Sequence, residues 1–403
     1  MRSVINTTLW SIKNNGVGIE KQERCMKKVF YFIYALMFNI FSIFPLKSNK
    51  IVFLSPHNEN FNDSLGAVME EIIRRDKFRI VLISGTDLKF KRSDIFGSIG
   101  KALSFFTVKA YHLATAKFVF MNDNFMPMGK LHFKANAVVT QLWHAEGAFK
   151  KFGLDIEQSE DVRALEKAGN SKLTYVVCSS EDVAPIYAKA FGVSDYKVLP
   201  LGSARADYFS KPINIDRLRA DFDRKYPQCK GKKLALYAPT FRDNRADDLR
   251  ILENFDVKAF NDRFGDEYAL LIRLHPQVHS VSAIPSGAVD MCDYENTLEL
   301  MRLCDFLITD YSSICMDFAI QDKPVYFYAF DLDRYEKDRA FYYDYESYVP
   351  GPVAKDFQTL LNLINSTVSE TYRMRRYDFN FANFGTPDGN AAKRIVDKIV
   401  YNK

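Results

Sequence analysis

The sequence lacks the motifs of several common enzyme classes. Its six cysteines are scattered and no two form a Cys-x-x-Cys pair, so we expect neither disulfides nor a zinc site, in a chain from a reducing compartment. No Gly-x-Gly-x-x-Gly fingerprint follows the first expected strand and no P-loop motif is present, which disfavours a dehydrogenase and a P-loop enzyme. The net charge of +5 is too diffuse for nucleic-acid binding, whereas it suits an anionic lipid surface or a polyanionic substrate.

Residues of metal-ligand type are isolated as well. Asp123, in Met121-Asn-Asp-Asn124, is a single carboxylate, which is too few for Mg²⁺. Four histidines have no supporting neighbours in the sequence, and we interpret them as structural or exposed: His57, His112, His132 and His279. We therefore expect no metal, and no cofactor apart from the substrates.

The N-terminal extension, residues 1–49, contains one apolar, aromatic-rich run from Val29 to Leu46. No small-residue cleavage site follows the run, so a signal peptide is not expected. Its length of about 18 residues is at the short limit for a membrane-spanning helix. We expect a helix that lies in or dips into the inner leaflet of the membrane. A true span and a helix packed on the protein's own core are the alternatives.

From Lys50 onwards, short apolar runs alternate with helical patterns, which indicates parallel sheets covered by helices on both faces. A chain of 403 residues is too long for one ordinary core, and a polar segment around 211–232 separates two similar halves. The fold class is therefore α/β, with two Rossmann-like doubly wound domains, residues 50–210 and 211–403, facing each other across a cleft. The expected strands are Ile51–Ser55, Phe78–Ser84, Phe118–Met121, Ala137–Trp143, Thr174–Cys178, Leu234–Tyr237, Tyr268–Leu274, Val289–Cys292, Phe306–Ile308 and Pro324–Tyr328.

Polar residues come directly after several of these strands. In the first half, His144 follows Ala137–Trp143. In the second half the residues at strand ends are Thr240, Arg242, Arg273, His275, Asp310, Ser312 and Ser313. Ligands of open α/β sheets bind beyond the carboxyl ends of the strands, so we expect these residues to build a site in the cleft.

Ser312 and Ser313 stand where a buried strand turns into a helix. Free backbone N–H groups and the helix dipole at such a start can hold an anion, and we interpret the pair as a phosphate seat. An ordinary capped helix is the alternative. Beside a bound diphosphate, Asp310 would shape the turn rather than act as a catalytic acid.

His144 is the candidate general base, because an imidazole accepts a proton from a hydroxyl group near neutral pH. A strand-end histidine bonded to the backbone is the alternative. Glu146 either orients His144 or is solvated, and Lys150 is either a cation of the cleft or a surface lysine.

Arg273 and His275 are candidate hydrogen-bond donors to a diphosphate. Their alternative is a salt bridge and a turn before Pro276. Thr240 and Arg242 would line the same pocket.

Taken together, these motifs resemble those of the CDP-glycerol glycerophosphotransferase family, the bacterial enzymes that prime and polymerise teichoic acids and related capsule polymers. The resemblance covers about residues 50–384. It implies a two-Rossmann, GT-B type fold, association with the inner face of the membrane, and transfer of a polyol phosphate from a CDP-polyol with release of CMP. The motifs are Gln141-Leu-Trp-His144, Lys150, Tyr237-Ala-Pro-Thr-Phe-Arg242, Arg273-Leu-His-Pro276, Thr309-Asp-Tyr-Ser-Ser313, Lys323-Pro324 and Tyr348-Val-Pro-Gly-Pro352.

The resemblance also implies roles for single residues. His144 is similar to the family's base histidine, His275 to its second essential histidine, and Ser312 with Ser313 to its donor-phosphate serines. Arg339 stands where the family usually has Arg-Gly, here Arg339-Ala. After His144 the family more commonly has Gly-Thr-Pro-Leu-Lys, whereas this chain has Ala-Glu-Gly-Ala-Phe-Lys150, so the role of Lys150 stays open.

These expectations combine into a direct displacement at phosphorus. A hydroxyl group of a lipid-linked saccharide or of a growing polymer attacks the donor at the cytoplasmic face of the membrane, where the enzyme is peripheral. Glycerol phosphate from CDP-glycerol is the default and ribitol phosphate from CDP-ribitol the alternative. A nucleotide-sugar glycosyltransferase of the same fold and a non-catalytic scaffold are the other classes, and the oligomeric state is open.

Overall fold

The computed structural model describes residues 16–403 apart from residues 58–60, 62, 89–94, 243, 281 and 367–369. The described part divides into two compact units. The N-terminal unit comprises the chain up to His144 together with Phe152–Arg205 and Asn390–Lys403, and the C-terminal unit comprises Ala145–Lys151 and Ala206–Gly389. Each unit is built around one six-stranded parallel sheet.

The sheet of the N-terminal unit has the strand order β2-β1-β3-β4-β5-β6. Its strands are β1 (Lys47–Ser55), β2 (Arg79–Ser84), β3 (Ala116–Met121), β4 (Val138–Gln141), β5 (Tyr175–Cys178) and β6 (Val198–Pro200). Ile51 pairs with Ile80 on one side and Phe118 on the other, so chain order reverses between β1 and β3. The carboxyl ends of these two strands are therefore the switch point at which such sheets bind ligands.

Helices cover this sheet, as a parallel sheet with two apolar faces requires. They are α1 (Gly16–Phe41), α2 (Ser64–Arg75), α3 (Ile95–Ser104), α4 (Ala110–Ala114), α5 (Glu160–Asn170) and α6 (Ala184–Phe191), with a π-helical turn at Phe105–Lys109 and 3₁₀ turns at Gly85–Leu88, Met126–Lys130, Gly153–Asp155 and Asp195–Lys197. Asp63 caps α2 by accepting the N–H of Leu65 over 2.9 Å. Leu65 and Val68 then bury one face of α2 in a cluster with Ile51.

One face of α1 packs on the N-terminal unit. Tyr34 and Phe38 are fully buried, and their rings contact Phe105 and Phe133 at centroid distances of 4.7 and 4.9 Å. Large apolar side chains remain exposed along the other side of the helix: Met26, Val29, Phe32, Ile33, Leu36 and Ile40. Within the described residues, no helix combines the length and apolarity that crossing a bilayer requires. The expected helix thus packs on its own unit, and its contact with lipid stays a prediction.

The sheet of the C-terminal unit has the strand order β12-β11-β10-β7-β8-β9. Its strands are β7 (Lys233–Tyr237), β8 (Tyr268–Ile272), β9 (Val289–Asp290), β10 (Phe306–Thr309), β11 (Val325–Tyr328) and β12 (Val353–Ala354). Chain order reverses between β7 and β10, which places the switch point of this unit at their carboxyl ends. Successive side chains enter opposite cores, so Leu236 and Leu307 lie in one buried cluster and Tyr237 and Ile308 in another.

Most helices of the C-terminal unit are short, and the longest described one has 15 residues. They are α7 (Asp207–Ser210), α8 (Ile215–Lys225), α9 (Arg245–Glu253), α10 (Val257–Phe264), α11 (Pro276–His279), α12 (Thr297–Leu303), α13 (Ile314–Ala319), α14 (Leu332–Asp338), α15 (Tyr345–Tyr348), α16 (Phe357–Asn365) and α17 (Glu370–Phe384), with a 3₁₀ turn at Pro227–Cys229. Side chains of Asn296 and Asp356 cap α12 and α16 by accepting backbone N–H groups.

Two segments belong to a different unit from their neighbours in sequence. Helix α18 (Ala391–Ile399) joins the N-terminal unit, where Ile395 and Val396 are buried in the same cluster as Leu65. Ala145–Lys151 joins the C-terminal unit. The sequence prediction assigned each segment to the other domain, because an apolar pattern does not say which sheet it covers.

The predicted α/β class with two parallel sheets is confirmed. Every expected strand overlaps an observed one. Strands β6 and β12, of three and two residues, are not among the expected strands.

Candidate active site

Three polar side chains gather at the switch point of the N-terminal sheet. His57 follows β1, Asp123 follows β3 and His144 follows β4. Asp123 Oδ2 lies 3.8 Å from His57 Nε2 and 3.6 Å from His144 Nδ1, so one carboxylate faces two imidazoles. The sequence pointed to His144 but gave Asp123 and His57 no role. Their positions just after β1 and β3 were the available signal.

His144 has one nitrogen engaged and a solvent-accessible ring. Its Nδ1 lies 3.1 Å from the carbonyl oxygen of Asn122, and its side chain is 41% exposed. A carbonyl oxygen only accepts hydrogen bonds, so Nδ1 carries the proton in this contact. Nε2 is then the nitrogen that can accept a proton from a substrate. The backbone hydrogen bond that was considered as an alternative to the base role is therefore present. It occupies only Nδ1, so it is compatible with a base at Nε2.

The backbone at Trp143 sets the position of His144. Trp143 has φ of 59°, a left-handed conformation that is uncommon for a bulky residue and costs about 1–3 kcal/mol. Its N–H donates to Gln141 Oε1 over 2.9 Å, and its ring contacts Phe152 and Phe191 at 5.2 Å. These contacts offset the strain and hold the Trp143 ring 4.2 Å from that of His144.

The segment Ala145–Lys151 is docked on the C-terminal unit. Phe149 is buried in the core there, with its ring 5.2 Å from that of Phe341. Gly147 has φ of 61°, and a Cβ at this position would lie 2.3 Å from Met316 Cε. Glycine therefore suits both the conformation and the close approach. Glu146 lies in the same segment.

Docking of this segment brings Lys150 into a cationic environment. An antiparallel bridge joins Lys150 to Phe341, two residues beyond Arg339. Lys150 Nζ lies 3.4 Å from the Tyr335 hydroxyl, and no carboxylate among the described residues forms an ion pair with it. Burial, together with the charge of Arg339, lowers the pKa of Lys150 to about 8 although Asp310 opposes the shift. A partly buried ammonium group without a carboxylate partner favours binding of an anion.

His275 and Arg339 both contact the ring of Phe241 near this lysine. The rings of Phe241 and His275 are 4.6 Å apart, and the Arg339 guanidinium lies 5.3 Å from the Phe241 centroid. Desolvation lowers the pKa of His275, Asp248 opposes this shift and the charge of Lys150 adds to it. The imidazole is therefore largely neutral near pH 7 and can donate one hydrogen bond to a phosphate oxygen.

Arg242 is buried and already paired with two carboxylates. Its Nε lies 2.7 Å from Asp331 Oδ2, and a terminal nitrogen lies 2.9 Å from Asp310 Oδ2. Burial would lower the pKa of Arg242, but Asp310 and Asp331 outweigh it and raise the pKa above its usual value. Asp310 also accepts the N–H of Thr240 over 2.7 Å, which ties the end of β7 to the end of β10. Removing Arg242 would leave a buried unpaired carboxylate, at a cost of about 3–5 kcal/mol.

The Ser312-Ser313 pair follows β10, as expected from the sequence. Ser313 is exposed and makes no capping bond through its side chain, while Ser312 Oγ accepts the N–H of Ile314 over 3.4 Å. Helix α13 has only six residues, so its dipole is small and the hydroxyl groups matter more than the helix end. Phosphate binding by this pair stays a prediction.

One side of the Arg273 guanidinium group is hydrogen-bonded to the backbone. One terminal nitrogen donates to the carbonyl oxygens of Met291, Cys292 and Tyr294 at 2.5, 3.3 and 2.9 Å. Burial lowers the pKa of Arg273. These contacts hold the loop after β9 against the end of β8, so Arg273 supports His275 in addition to any contact with a ligand.

The structure thus brings most of the predicted donor-side residues to one end of the C-terminal sheet. Lys150, His275 and Arg339 supply positive or hydrogen-bonding groups, and Arg242 with Asp310 braces the strands that carry them. In the N-terminal unit, the carboxylate beside His144 is Asp123. The N-terminal sheet end thus presents an imidazole nitrogen that can accept a proton, and the C-terminal sheet end presents positively charged side chains.

Comparison with known proteins gives the family. A profile of the CDP-Glycerol:Poly(glycerophosphate) glycerophosphotransferase family matches residues 36–401. The chain is 33% identical over 389 residues to the teichoic acid poly(ribitol-phosphate) polymerase of Bacillus spizizenii, covering 95% of this chain but only 61% of that polymerase. It is 32% identical over 389 residues to the teichoic acid ribitol-phosphate primase of the same organism, covering 93% and 96% of the two chains. A teichoic acid glycerol-phosphate primase of Bacillus subtilis is 29% identical over 308 residues, 72% of this chain and 76% of the primase.

Solved structures of the wall teichoic acid polymerase TagF share the GT-B-like fold. TagF aligns with a TM-score of 0.76 at 23% identity, over 95% of this chain and 97% of that chain. A histidine-to-asparagine variant of TagF soaked with CDPG aligns with a TM-score of 0.74. At this identity the likeness shows the fold, while the profile and the relatives decide the family. The chain therefore belongs to the CDP-glycerol:poly(glycerophosphate) glycerophosphotransferase family of teichoic acid polyol-phosphate transferases.

Proposed function

We propose that this protein transfers a polyol phosphate from a CDP-polyol to a hydroxyl group of a lipid-linked saccharide or growing polymer, with release of CMP. The observation that carries the proposal is the ammonium group of Lys150 beside Arg339, with no carboxylate partner among the described residues. An anion would balance the charge of this ammonium group, and the diphosphate of a CDP-polyol supplies one. The family supports this class of donor.

In the proposed reaction the acceptor oxygen attacks the phosphorus atom that carries the polyol. The bond from this phosphorus to the bridging oxygen breaks, and CMP leaves with the electron pair. His144 Nε2 takes the proton of the acceptor hydroxyl, while Nδ1–H stays on the Asn122 carbonyl. Asp123, 3.6 Å from Nδ1, stabilises the imidazolium ion that forms.

The C-terminal unit is assigned to the donor. Lys150 and Arg339 balance the charge of the diphosphate, and His275 donates a hydrogen bond to the oxygen that becomes negative as CMP leaves. Ser312 and Ser313 add hydroxyl donors at the end of β10. Thr240, Arg242, Asp310 and Arg273 are assigned mainly to the support of these groups, since Arg242 and Arg273 already have protein partners.

Ribitol phosphate is the transferred group that we propose to test first. The two relatives matched at 32–33% identity are both named for ribitol phosphate, and the Bacillus subtilis glycerol-phosphate primase is matched at 29%. Glycerol phosphate, the default from the sequence, is the second candidate because the family description and the TagF soak with CDPG both support it.

A donor panel tests the proposal. The purified chain is incubated with a lipid-linked acceptor and either CDP-ribitol, CDP-glycerol or a set of nucleotide sugars, and CMP release and product length are measured. We expect CMP release with a CDP-polyol only. Activity confined to a nucleotide sugar would replace the proposal with a glycosyltransferase, and binding without turnover of any donor would favour a scaffold.

We also propose that the exposed side of α1 binds the inner membrane surface peripherally. Val29, Leu36 and Ile40 repeat at helical spacing on that side, and Leu103 of α3 is a further exposed apolar residue, 64% accessible. An amphipathic helix with an apolar exposed face lies in the plane of the lipid headgroups. Its opposite face, with Tyr34, is already buried in the protein.

Vesicle flotation tests the membrane proposal. Leu36→Glu combined with Ile40→Glu should abolish co-flotation with anionic vesicles and leave the melting temperature unchanged, because both side chains are exposed. Ile73→Glu, at another exposed apolar position of the N-terminal unit, is the matched control and should float like the wild type. Equal flotation of the double variant would exclude this face as the lipid contact.

A further inference from the structure

Three side chains of the C-terminal unit lie close enough to bind one metal ion. His279 ends α11, Asp290 ends β9 and Cys292 follows β9. Each offers one ligand atom, and these atoms all lie within 4.8 Å of one another. Ligand atoms of a tetrahedral zinc site are separated by roughly 3.3–3.8 Å, given bonds of about 2.0–2.3 Å. Small side-chain movements would therefore bring all three onto one ion.

Backbone hydrogen bonds already orient two of these ligands. Asp290 Oδ1 accepts the N–H of Cys292 over 2.8 Å, which leaves Oδ2 facing His279 Nε2 at 3.2 Å. Cys292 Sγ accepts the N–H of Leu274 over 3.3 Å. Hydrogen bonds to ligand atoms from outside the coordination sphere fix their direction and raise metal affinity.

The cluster is open to solvent on one side. The side chains of His279 and Asp290 are 33% and 47% exposed, so an ion can enter without unfolding of the sheet. Three protein ligands leave the fourth tetrahedral position for water.

We propose that His279, Asp290 and Cys292 bind one Zn²⁺ ion. A sulfur ligand combined with imidazole and carboxylate suits Zn²⁺, whereas Mg²⁺ and Ca²⁺ prefer oxygen ligands alone. Without a metal, the alternative is an ion pair of His279 with Asp290 together with a hydrogen bond between the Cys292 and Asp290 side chains. The sequence indicated no zinc site, since it has no Cys-x-x-Cys pair and His279 lies far from Cys292 along the chain.

The ion would tie α11 to the end of β9. His275 directly precedes α11, and Arg273 donates to the carbonyl oxygen of Cys292 over 3.3 Å. Zinc would therefore stiffen the strand end that carries Arg273 and His275. The binding itself does not depend on the proposed transfer reaction.

Metal titration of the purified full chain tests the inference. Zn²⁺ is titrated against a chromophoric chelator, and Co²⁺ is added to the metal-free protein to observe the thiolate-to-cobalt absorption band. We expect one ion per chain and a sulfur band in the wild type. Cys292→Ser should remove the band, and both Cys292→Ser and His279→Gln should weaken Zn²⁺ binding by at least about tenfold.

Two controls keep this test decisive. His132→Gln changes an exposed histidine of the N-terminal unit and should leave Zn²⁺ affinity unchanged. Melting temperatures measured with a chelator present should agree for all variants, and Zn²⁺ should raise that of the wild type. His279→Gln retains the thiol, so it tests the site even where Cys292→Ser is unstable. No zinc binding by the wild type, or equal affinity in His279→Gln and His132→Gln, would overturn the inference.

Discussion

The strand ends of the two units share one architecture and have opposite electrostatics. In the N-terminal unit a single carboxylate, Asp123, faces the imidazoles of His57 and His144. In the C-terminal unit Lys150 and Arg339 bring positive charge to the end of the sheet without a carboxylate partner for the lysine among the described residues. A carboxylate beside a histidine favours proton uptake, whereas an ammonium group without a carboxylate partner favours an anionic ligand. The difference supports the proposed assignment of the base to the N-terminal unit and of the donor to the C-terminal unit.

The two ends also differ in how the chain builds them. His57, Asp123 and His144 each follow a strand of their own sheet, so the order of the strands alone brings them together. Lys150 lies in the segment Ala145–Lys151. Residues of the N-terminal unit flank this segment in sequence, but the segment belongs to the C-terminal unit, in whose core Phe149 is buried. Insertions in that segment would change the donor side without altering either sheet.

The largest expected effect is the loss of the base. His144→Ala should lower kcat by about 10²–10⁴-fold, because the acceptor hydroxyl loses its proton acceptor. Binding of the CDP-polyol should be nearly unchanged, since His144 is assigned to the acceptor side. Turnover by CMP release and donor affinity by calorimetry measure the two effects.

His132→Ala is the matched control for this variant, because His132 is an exposed histidine of the same unit. It should retain wild-type turnover. Near-normal kcat in His144→Ala would remove the base assignment, and an equal loss of donor binding would move His144 to the donor side.

Removal of the Lys150 charge should change donor binding rather than kcat. Lys150→Met keeps the length of the side chain but removes its charge, and a charge-assisted hydrogen bond is worth about 1.5–3 kcal/mol. We expect the donor Kd to rise by about 10–100-fold, with a smaller effect on the melting temperature. Lys151→Met, one residue further, should have little effect on Kd.

The outcome for Lys150→Arg sharpens this test. Arginine restores the charge and should recover most of the affinity if charge is what the donor needs. Unchanged donor affinity in Lys150→Met would make this lysine a structural residue and would leave Arg339 and His275 as the donor contacts.

The strands of both sheets could be predicted from the sequence. The units to which Ala145–Lys151 and α18 belong could not. Buried parallel strands appear as apolar runs, so runs such as Phe306–Ile308 were found, together with the polar residues that follow them. Strand order decides which ends meet, and it is set by packing over long distances. For this reason Glu146, the next acidic residue along the chain, was considered as the partner of His144, whereas Asp123 lies beside it in the structure.

The burial of charged side chains could not be predicted from the sequence either. Arg242 was expected to line the pocket, yet Asp310 and Asp331 approach it from two other strand ends. Lys150 was assigned to the first domain because its neighbours in sequence lie there. Phe149 packs in the core of the C-terminal unit and places Lys150 there, and no local sequence pattern predicts this packing.

A smaller effect is expected at the carboxylate beside the base. Asp123→Asn removes the charge that stabilises the imidazolium ion but keeps the size of the side chain. We expect kcat to fall by about tenfold, roughly the value of 1.4 kcal/mol of lost electrostatic stabilisation, with donor Kd unchanged. Asp123→Glu should recover part of the rate. A parallel fall in kcat and melting temperature would indicate a purely structural role.

The smallest effect concerns the pH dependence of donor binding. The pKa of Lys150 is lowered from its ordinary 10.5 to about 8, so the free protein loses this charge as the pH rises through 8. A bound diphosphate favours the charged form, and binding near pH 8 should therefore take up a proton. Calorimetry in buffers of different ionisation enthalpy measures the uptake, and donor affinity should weaken above pH 8.

Lys150→Arg separates this lysine from other groups that titrate in the same range. The pKa of Lys50, buried in the N-terminal unit beside Thr115, is also lowered to about 8. Lys50 is present in both proteins, whereas only the wild type has an ionisable group at position 150, since arginine stays charged throughout this range. We therefore expect proton uptake and the loss of affinity above pH 8 in the wild type and neither in Lys150→Arg. The same uptake in both proteins would assign the pH dependence to another group and would leave the cationic character of the C-terminal strand ends to Arg339.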